Sequence, residues 1–453
     1  MCAKNVQEQQ TTFPPVKANP SKDIFIRMLT KDLSLADAIL DLADNSVDGA
    51  RRTKKKPASY EGFWIHIEFS GDFFRITDNC GGIDLDVAKN YAFCFGKPDD
   101  RNPERGLIGE FGVGMKRAVF KMGGKFRVES TTANSHFVID ENVEKWRRNK
   151  TNWDFHFQEY EPGLEGVPRE KIGTTIEVTS LHEEIASEFA SANFRSELQQ
   201  RLQAAHQDAI SHRLSVKVGG FTLPAESITL KTSPKIRPGY FAMNLNGSPK
   251  KEAAPINVRL FTGISESDPK AAGWYIYCNG RQIVAAEQKD KTVWGQIGDI
   301  NIPKMHNQFS RFRGYAFFDC ENQSRLPWTT TKQGIDIESF AYKKVRPEMV
   351  RMTRPVINFL NRLDQEQELE TTLIADAVNK AMDVSLFDIA DVGEFNAERV
   401  LSAEGGPKLL RISYKKPADQ VRKVKEQLEV TKISEVGEVT FDYYCKYEEI
   451  DVD

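Results

Sequence analysis

Residues 35–50, LADAILDLADNSVDGA, constrain this chain more than any other stretch. At helical spacing Leu35, Ile39 and Leu42 fall on one side, while Asp37, Asp41, Asn45 and Asp48 gather toward the other. Two carboxylates with an amide between them, one helical turn apart, make a face able to hold a hydrated divalent cation and a water. Acidic helix faces also occur as ordinary solvated surfaces. This stretch alone leaves both readings open, and two glycine-bearing stretches further along bear on the choice.

Residues 63–69 (FWIHIEF) alternate as a strand, Gly71 and Asp72 turn the chain, and residues 73–77 return as a second strand. That hairpin runs into Asp78-Asn79-Cys80-Gly81-Gly82-Ile83. A carboxylate at a strand end, followed by glycines, lets a flat ligand approach the backbone while the acid accepts a hydrogen bond; a plain turn is the other reading. Residues 93–105 are polar, charged and Pro-bearing, as in a mobile loop or lid. They lead into Gly109-Glu110-Phe111-Gly112-Val113-Gly114-Met115-Lys116 and an apolar helical run through Phe120. Glycines opening a helix leave backbone N–H groups free to cradle phosphates. Neither common nucleotide signature fits: the lysine stands one place too late for a P-loop, and GxGxxG fails after Gly114. Further strands are expected at 126–130, 137–139 and 174–179, the last opening on GTTIEV.

Composition narrows the class. The 453 residues carry 62 Lys and Arg against 65 Asp and Glu, a formal net charge of -3, so bulk charge points to no particular partner. With 40% hydrophobic residues there is chain enough for two or three domains. No apolar run is long enough to cross a bilayer and the N-terminus lacks a signal-peptide core, so no membrane contact is expected. Cys2, Cys80, Cys94, Cys278, Cys320 and Cys445 are scattered without a CxxC, which suits a reducing cytoplasm and excludes a zinc knuckle. No histidine stands in metal-ligand spacing with another ligand.

In this order, the stretches resemble the GHKL ATPase superfamily, which groups gyrase B, heat-shock chaperones, histidine kinases and MutL. The resemblance covers residues 23–179 by motif and extends loosely to 344. DLADNSVDGA is similar to the N box, DNCGGI to the adenine-binding box, GEFGVGMK to the second glycine box and GTTIEV to the Gly-Thr strand. The resemblance implies an α+β chain, with a Bergerat-type α/β sandwich that binds ATP, a smaller α/β transducer-like domain and a helical C-terminal segment. The divisions expected are a flexible arm at 1–22, the ATP-binding domain at 23–190, a helical connection at 191–213, the transducer-like domain at 214–345, a helical segment at 346–400 and a small module at 401–453.

ATP and Mg²⁺ are the implied cofactors. Asn45 matches the asparagine that ligates Mg²⁺ between the phosphates, and Asp48 completes its box. Asp78 matches the aspartate that accepts from the adenine amino group, and Gly82 lets the base sit close. Gly109, Gly112 and Gly114 match the phosphate-wrapping glycines, with Phe111, Val113, Met115 and Lys116 in the same box. Thr174 matches the threonine that helps to hold the adenine-bound water. Asp41 stands where hydrolysing members place the glutamate that activates the attacking water; being one methylene shorter, it implies slow turnover. Cys80 replaces the first glycine of the adenine box and leaves Asp78 and Gly82 in place.

The later chain is similar, less specifically, to the transducer of gyrase B, MutL and MORC proteins. There a loop lysine reaches back to the terminal phosphate, a role that falls on Lys332 in TTTKQG. GWYIYCNGRQIV resembles the strand–turn–strand of MutL-type and MORC-type transducers, and is also a plain hairpin. The function implied is an ATP-dependent homodimeric clamp, in the cytoplasm, whose client is DNA or a protein. The alternative is an ATP-sensing scaffold without turnover. Basic clusters at 51–56 and 343–354 offer a phosphate-backbone contact without the interleaved aromatics of a single-strand binder, and the first also reads as an ordinary helix end.

Overall fold

Alternating side chains in the first two strands set the face on which the rest is built. β1 (Trp64–Phe69) buries Ile65, Ile67 and Phe69; β2 (Phe73–Asp78) buries Phe74, Ile76 and, at its last position, Asp78. A period of two places all six on one side of the sheet, so a carboxylate is delivered to the core-facing surface at a strand end. The computed structural model describes residues 21–53, 59–95, 113–246, 254–297, 300–329, 331–366, 372–401 and 415–450. Over them β3 (Gly123–Thr131), β4 (Ser135–Asn142), β5 (Phe157–Pro162), β6 (Gly173–Leu181), β7 (Ser215–Val218) and β8 (Phe221–Thr222) complete an eight-stranded sheet in the order β5-β4-β3-β6-β2-β1-β7-β8.

Its pairings are antiparallel except that of β7, which lies parallel to β1. β7, although it falls at the start of the 214–345 stretch expected as the transducer-like domain, therefore belongs to the first sheet. Val216 and Val218 stand beside Ile65 and Ile67 in register and extend the same apolar face, which explains the placement.

The helices of this unit are α1 (Lys22–Thr30), α2 (Leu35–Thr53), the single turn α3 (Leu85–Val87) running into a π-turn at Ala88–Ala92, α4 (Gly114–Met122), α5 (Val143–Arg148), α6 (Glu183–Phe189), α7 (Ala192–Ala205) and α8 (Gln207–Ser211). α2 packs against β2, α4 and α7. Ser34 caps its start, accepting from the Asp37 N–H at 3.1 Å. From Leu35 to Ala50 every residue of α2 is buried except Asn45. The acidic side is thus an interior surface, and its counter-charges come from other elements: Arg201 on α7 pairs with Asp37, and Arg117 on α4 with Asp41. Lys22 seats α1 by donating to the carbonyls of Trp146 and Asn152 at 2.7 and 2.6 Å, with its ammonium 3.9 Å from the Trp146 ring centroid.

The second sheet holds β10 (Gly239–Leu245), β11 (Ile256–Ile264), β12 (Gly273–Cys278), β13 (Arg281–Glu287) and β16 (Phe312–Cys320) in the order β10-β11-β16-β12-β13. Smaller pairs join β9 (Thr229–Thr232) to β17 (Met382–Ser385) and β14 (Gly295–Ile297) to β15 (Ile300–Ile302). The long helix α9 (Phe340–Gln365) lies across β11 and β16. After α10 (Leu373–Asn379) and α11 (Glu398–Leu401), the helices α12 (Ala418–Gln427) and α13 (Ile433–Tyr447) pack on each other. The mixed α+β architecture agrees with the sequence reading, and one apolar cluster runs through both sheets. No helix among the described residues is long and apolar enough to cross a membrane.

Candidate functional site

The site residues expected from the sequence gather at two corners of α2. At the first, Asp78 is buried at the end of β2, opposite Thr174 on β6. Ser46 on α2 donates from its hydroxyl to Asp78 Oδ2 at 2.6 Å, and the Cys80 N–H donates to Oδ1 at 2.8 Å. Burial raises the Asp78 carboxyl above its usual range, and these donors act against the rise. Thr174 and Ser130 share a hydroxyl contact at 3.0 Å, and the Ile83 N–H donates to Ser130 Oγ at 2.7 Å. The DNCGG turn is thereby stitched to β3. At Gly82, with φ +73°, an added Cβ would stand 2.2 Å from the Thr131 carbonyl oxygen, so no side chain fits there.

At the second corner Asn45 is the one exposed residue of α2 between Leu35 and Ala50, and Asp48 is buried one turn on. Asp41 is buried and held by Arg117, whose Nε and Nη2 lie 2.6 and 2.5 Å from the same oxygen, Oδ2. Burial raises the Asp41 carboxyl, and Lys332 and Arg117 pull it down. Gly114 opens α4 beside this acid: its Cβ would come within 3.5 Å of Asp41 Cβ. Val113 precedes the helix half-buried, and Met115 is buried in its first turn. Lys116 is buried and donates to the Ala92 carbonyl at 2.8 Å; burial lowers its ammonium to about 8. Gly109, Phe111 and Gly112 lie outside the described residues, as do 1–20 and Lys54, Lys55 and Lys56.

Residues 33–174 match the family model of histidine kinase-, DNA gyrase B- and HSP90-like ATPases. This segment is a GHKL-type ATPase domain. Among curated proteins, none matches the chain. The match spans α2, the β1–β2 hairpin, α4 and the strands through the start of β6, which are the elements that present Asp41, Asn45, Asp78 and Thr174.

The GHKL domain is met from outside by two loops of the second unit. The turn between β12 and β13 brings Arg281 to Asp44 on α2, Nε to Oδ1 at 2.9 Å, and Arg51 donates back to the Asn279 carbonyl at 2.7 Å. The loop before α9 brings Lys332, which donates to Asp44 Oδ2 at 2.8 Å and lies 3.9 Å from Asp41 Oδ1. Lys332 sits at φ +55°, a left-handed conformation uncommon outside glycine.

Asp44 is fully buried. Burial alone would raise its carboxyl; Lys332 and Arg281 outweigh that and hold it at about 2. Neither Arg281 Nε nor Asp44 Oδ1 makes a hydrogen bond of good geometry, so their contact is coulombic. His206, 3.5 Å from the same oxygen, is lowered to about 3 by burial and by the cations Arg281, Lys332 and Arg51, which makes it a neutral neighbour of the carboxylate and not its ion-pair partner.

Sequence reasoning singled out neither Asp44, Ser46, Arg117 nor His206. Ser46 and Asp44 flank Asn45 in the N box, which was their one signal. Arg281 stood in the Asn-Gly-Arg turn, which the sequence marked without giving the arginine a role.

Proposed function

We propose that the chain binds Mg-ATP and hydrolyses it slowly, and that nucleotide binding closes a homodimeric clamp of the MORC-like or MutL-like kind. The observation that carries this reading is the reach of Lys332 from the second unit to the N-box helix, 3.9 Å from Asp41. An ATPase domain that works alone has no use for a buried cation supplied by a following domain, whereas a coupled one does.

The side chains present fit the nucleotide. The N-terminus of α4, with the cations Arg117 and Lys332 beside it, is a donor set for a polyphosphate. Asp78, with Gly82 and Thr174, offers the acceptor and close backbone approach that an adenine needs. Among the described residues no three His, Cys, Asp or Glu side chains converge to hold a metal ion. A divalent cation would therefore rest on Asn45 and phosphate oxygens, with Asp48 behind, and would supply charge neutralisation on the phosphates. In this reading Gly109, Phe111, Gly112, Val113, Gly114, Met115 and Lys116 all serve the phosphates, the last three from the start of α4. Asp41 takes the proton from water, its burial moving the carboxyl toward the range useful to a base. Lys332 pairs with the terminal phosphate and reports its presence to the second sheet.

The engagement of Asp41 by Arg117 and Lys332 favours slow turnover, and in the limit the ATP-sensing scaffold. DNA as client has less support than a protein. In the basic stretch of α9, Lys343 pairs with Glu338, Arg351 with Glu348 and Glu394, and Arg346 donates to the carbonyls of Thr292 and Asp290. Exposed Ile433, Tyr443 and Tyr447 on α13 supply apolar surface suited to a protein partner.

Light scattering with and without Mg and a non-hydrolysable ATP analogue tests the clamp. A shift from monomer to dimer with the analogue, abolished by Asp78→Asn, is expected. An unchanged mass alongside measurable analogue binding would remove the clamp and leave the scaffold.

A further inference from the structure

Asp41 is engaged by cations on both of its oxygens. One oxygen takes two nitrogens of Arg117, and the other faces Lys332 at 3.9 Å. Lys332 has a second anchor in Asp44 at 2.8 Å, so it can stay in place without Asp41. The residue whose departure governs Asp41 is therefore Arg117.

Its position says what can draw it away. Arg117 projects from the first turn of α4, and Gly114 at the start of that helix lies against Asp41. An anion at the helix N-terminus is thus within reach of the guanidinium. A phosphate carries more charge than a carboxylate, and a planar guanidinium can give two nitrogens to it at once. A lysine, as a point charge, could not hold Oδ2 through two nitrogens or transfer the same fork to phosphate.

We propose that Arg117 is a positioning residue that reads the terminal phosphate of a nucleoside triphosphate, exchanging Asp41 for that phosphate and so freeing the acid for water. This rests on the nucleotide reading given above. Until the exchange occurs the carboxylate is masked, so water is not activated over a diphosphate. After it, water gives a proton to Asp41 Oδ2 and its oxygen to the terminal phosphorus, and the bridging oxygen leaves with the diphosphate; no other reactant is required. Arg117 thus makes hydrolysis conditional on the group to be cleaved.

The test compares Mg-dependent binding of ADP and of a non-hydrolysable ATP analogue to wild type, Arg117→Gln and Arg117→Lys, with phosphate release from ATP measured alongside. Arg117→Gln should weaken the analogue by about tenfold, the loss of one charge-assisted contact, while ADP affinity moves by less than about twofold. Its kcat should fall because the terminal phosphate loses the guanidinium, although Asp41 is then unmasked, and Arg117→Lys should restore part of the analogue affinity. Equal losses for both nucleotides would make Arg117 merely structural and overturn the proposal. Wild-type behaviour of Arg117→Gln, or a raised kcat without any change in analogue affinity, would overturn it too. If wild type binds neither nucleotide, the nucleotide reading falls and takes this inference with it; if wild type binds both, only the role of Arg117 is at stake.

Discussion

Lys332 donates to Asp44 at 2.8 Å across 288 positions of the chain, and both side chains are buried. The pair joins the helix of the N box to the loop before α9, and Arg281 reinforces it from a second loop. A buried pair is a costly device compared with apolar packing, and breaking it from one side leaves an uncompensated charge. Asp44→Ala leaves two buried cations facing one another, and should cost about 3–5 kcal/mol in urea unfolding. Adding Lys332→Met should recover part of that loss, since the two sites couple directly.

His206 predicts an acid-sensitive interior. Its folded value is lowered to about 3 from 6.5 by burial and by Arg281, Lys332 and Arg51, against the raising effect of Asp44. The unfolded chain therefore binds a proton that the folded chain refuses. Stability should be flat with respect to this group above its unfolded value and fall as pH drops below it, by about 1.4 kcal/mol per pH unit. Unfolding free energies from neutral pH downward should show that slope, and His206→Gln should remove this contribution while leaving that of the carboxylates.

The turn after β2 makes a separate prediction about Gly82. Its φ is +73° and the Thr131 carbonyl stands 2.2 Å from where a Cβ would be, whereas Gly163, at φ +70°, has nothing within 4 Å. Both alanine substitutions impose backbone strain, and only Gly82→Ala adds a clash with backbone. Gly163→Ala should cost roughly 1 kcal/mol and leave ATP affinity intact. Gly82→Ala should cost more and weaken ATP as β3 and the turn are pushed apart. Equal costs would mean that the close approach to Thr131 relaxes freely.

Much of the first unit was legible because its signals are local. Periods of 3.6 and 2 located α2 and the β1–β2 hairpin, and the spacing of the glycine boxes led to the family that residues 33–174 match. What pattern could not supply was the partner of each charge. The acidic side of α2 read as solvated or cation-facing, yet Arg201, Arg117 and Lys332 approach it from three other elements. Asp44 carried no mark to distinguish it from a surface acid, since its two cations come from loops far along the chain. The parallel pairing of β7 with β1 was hidden for a related reason: a short alternating strand does not say which sheet it will extend.

In the proposed function the domain turns over ATP with Asp41 as its base and Asn45 holding the metal. Phosphate release from the full chain with Mg-ATP, run beside Asp41→Asn and Asn45→Ala, tests it most directly. Wild type should release phosphate slowly, Asp41→Asn should reduce the rate by about 10²–10⁴, and Asn45→Ala should abolish it. Release unchanged by Asp41→Asn, or none from a wild type that binds ATP, would contradict it.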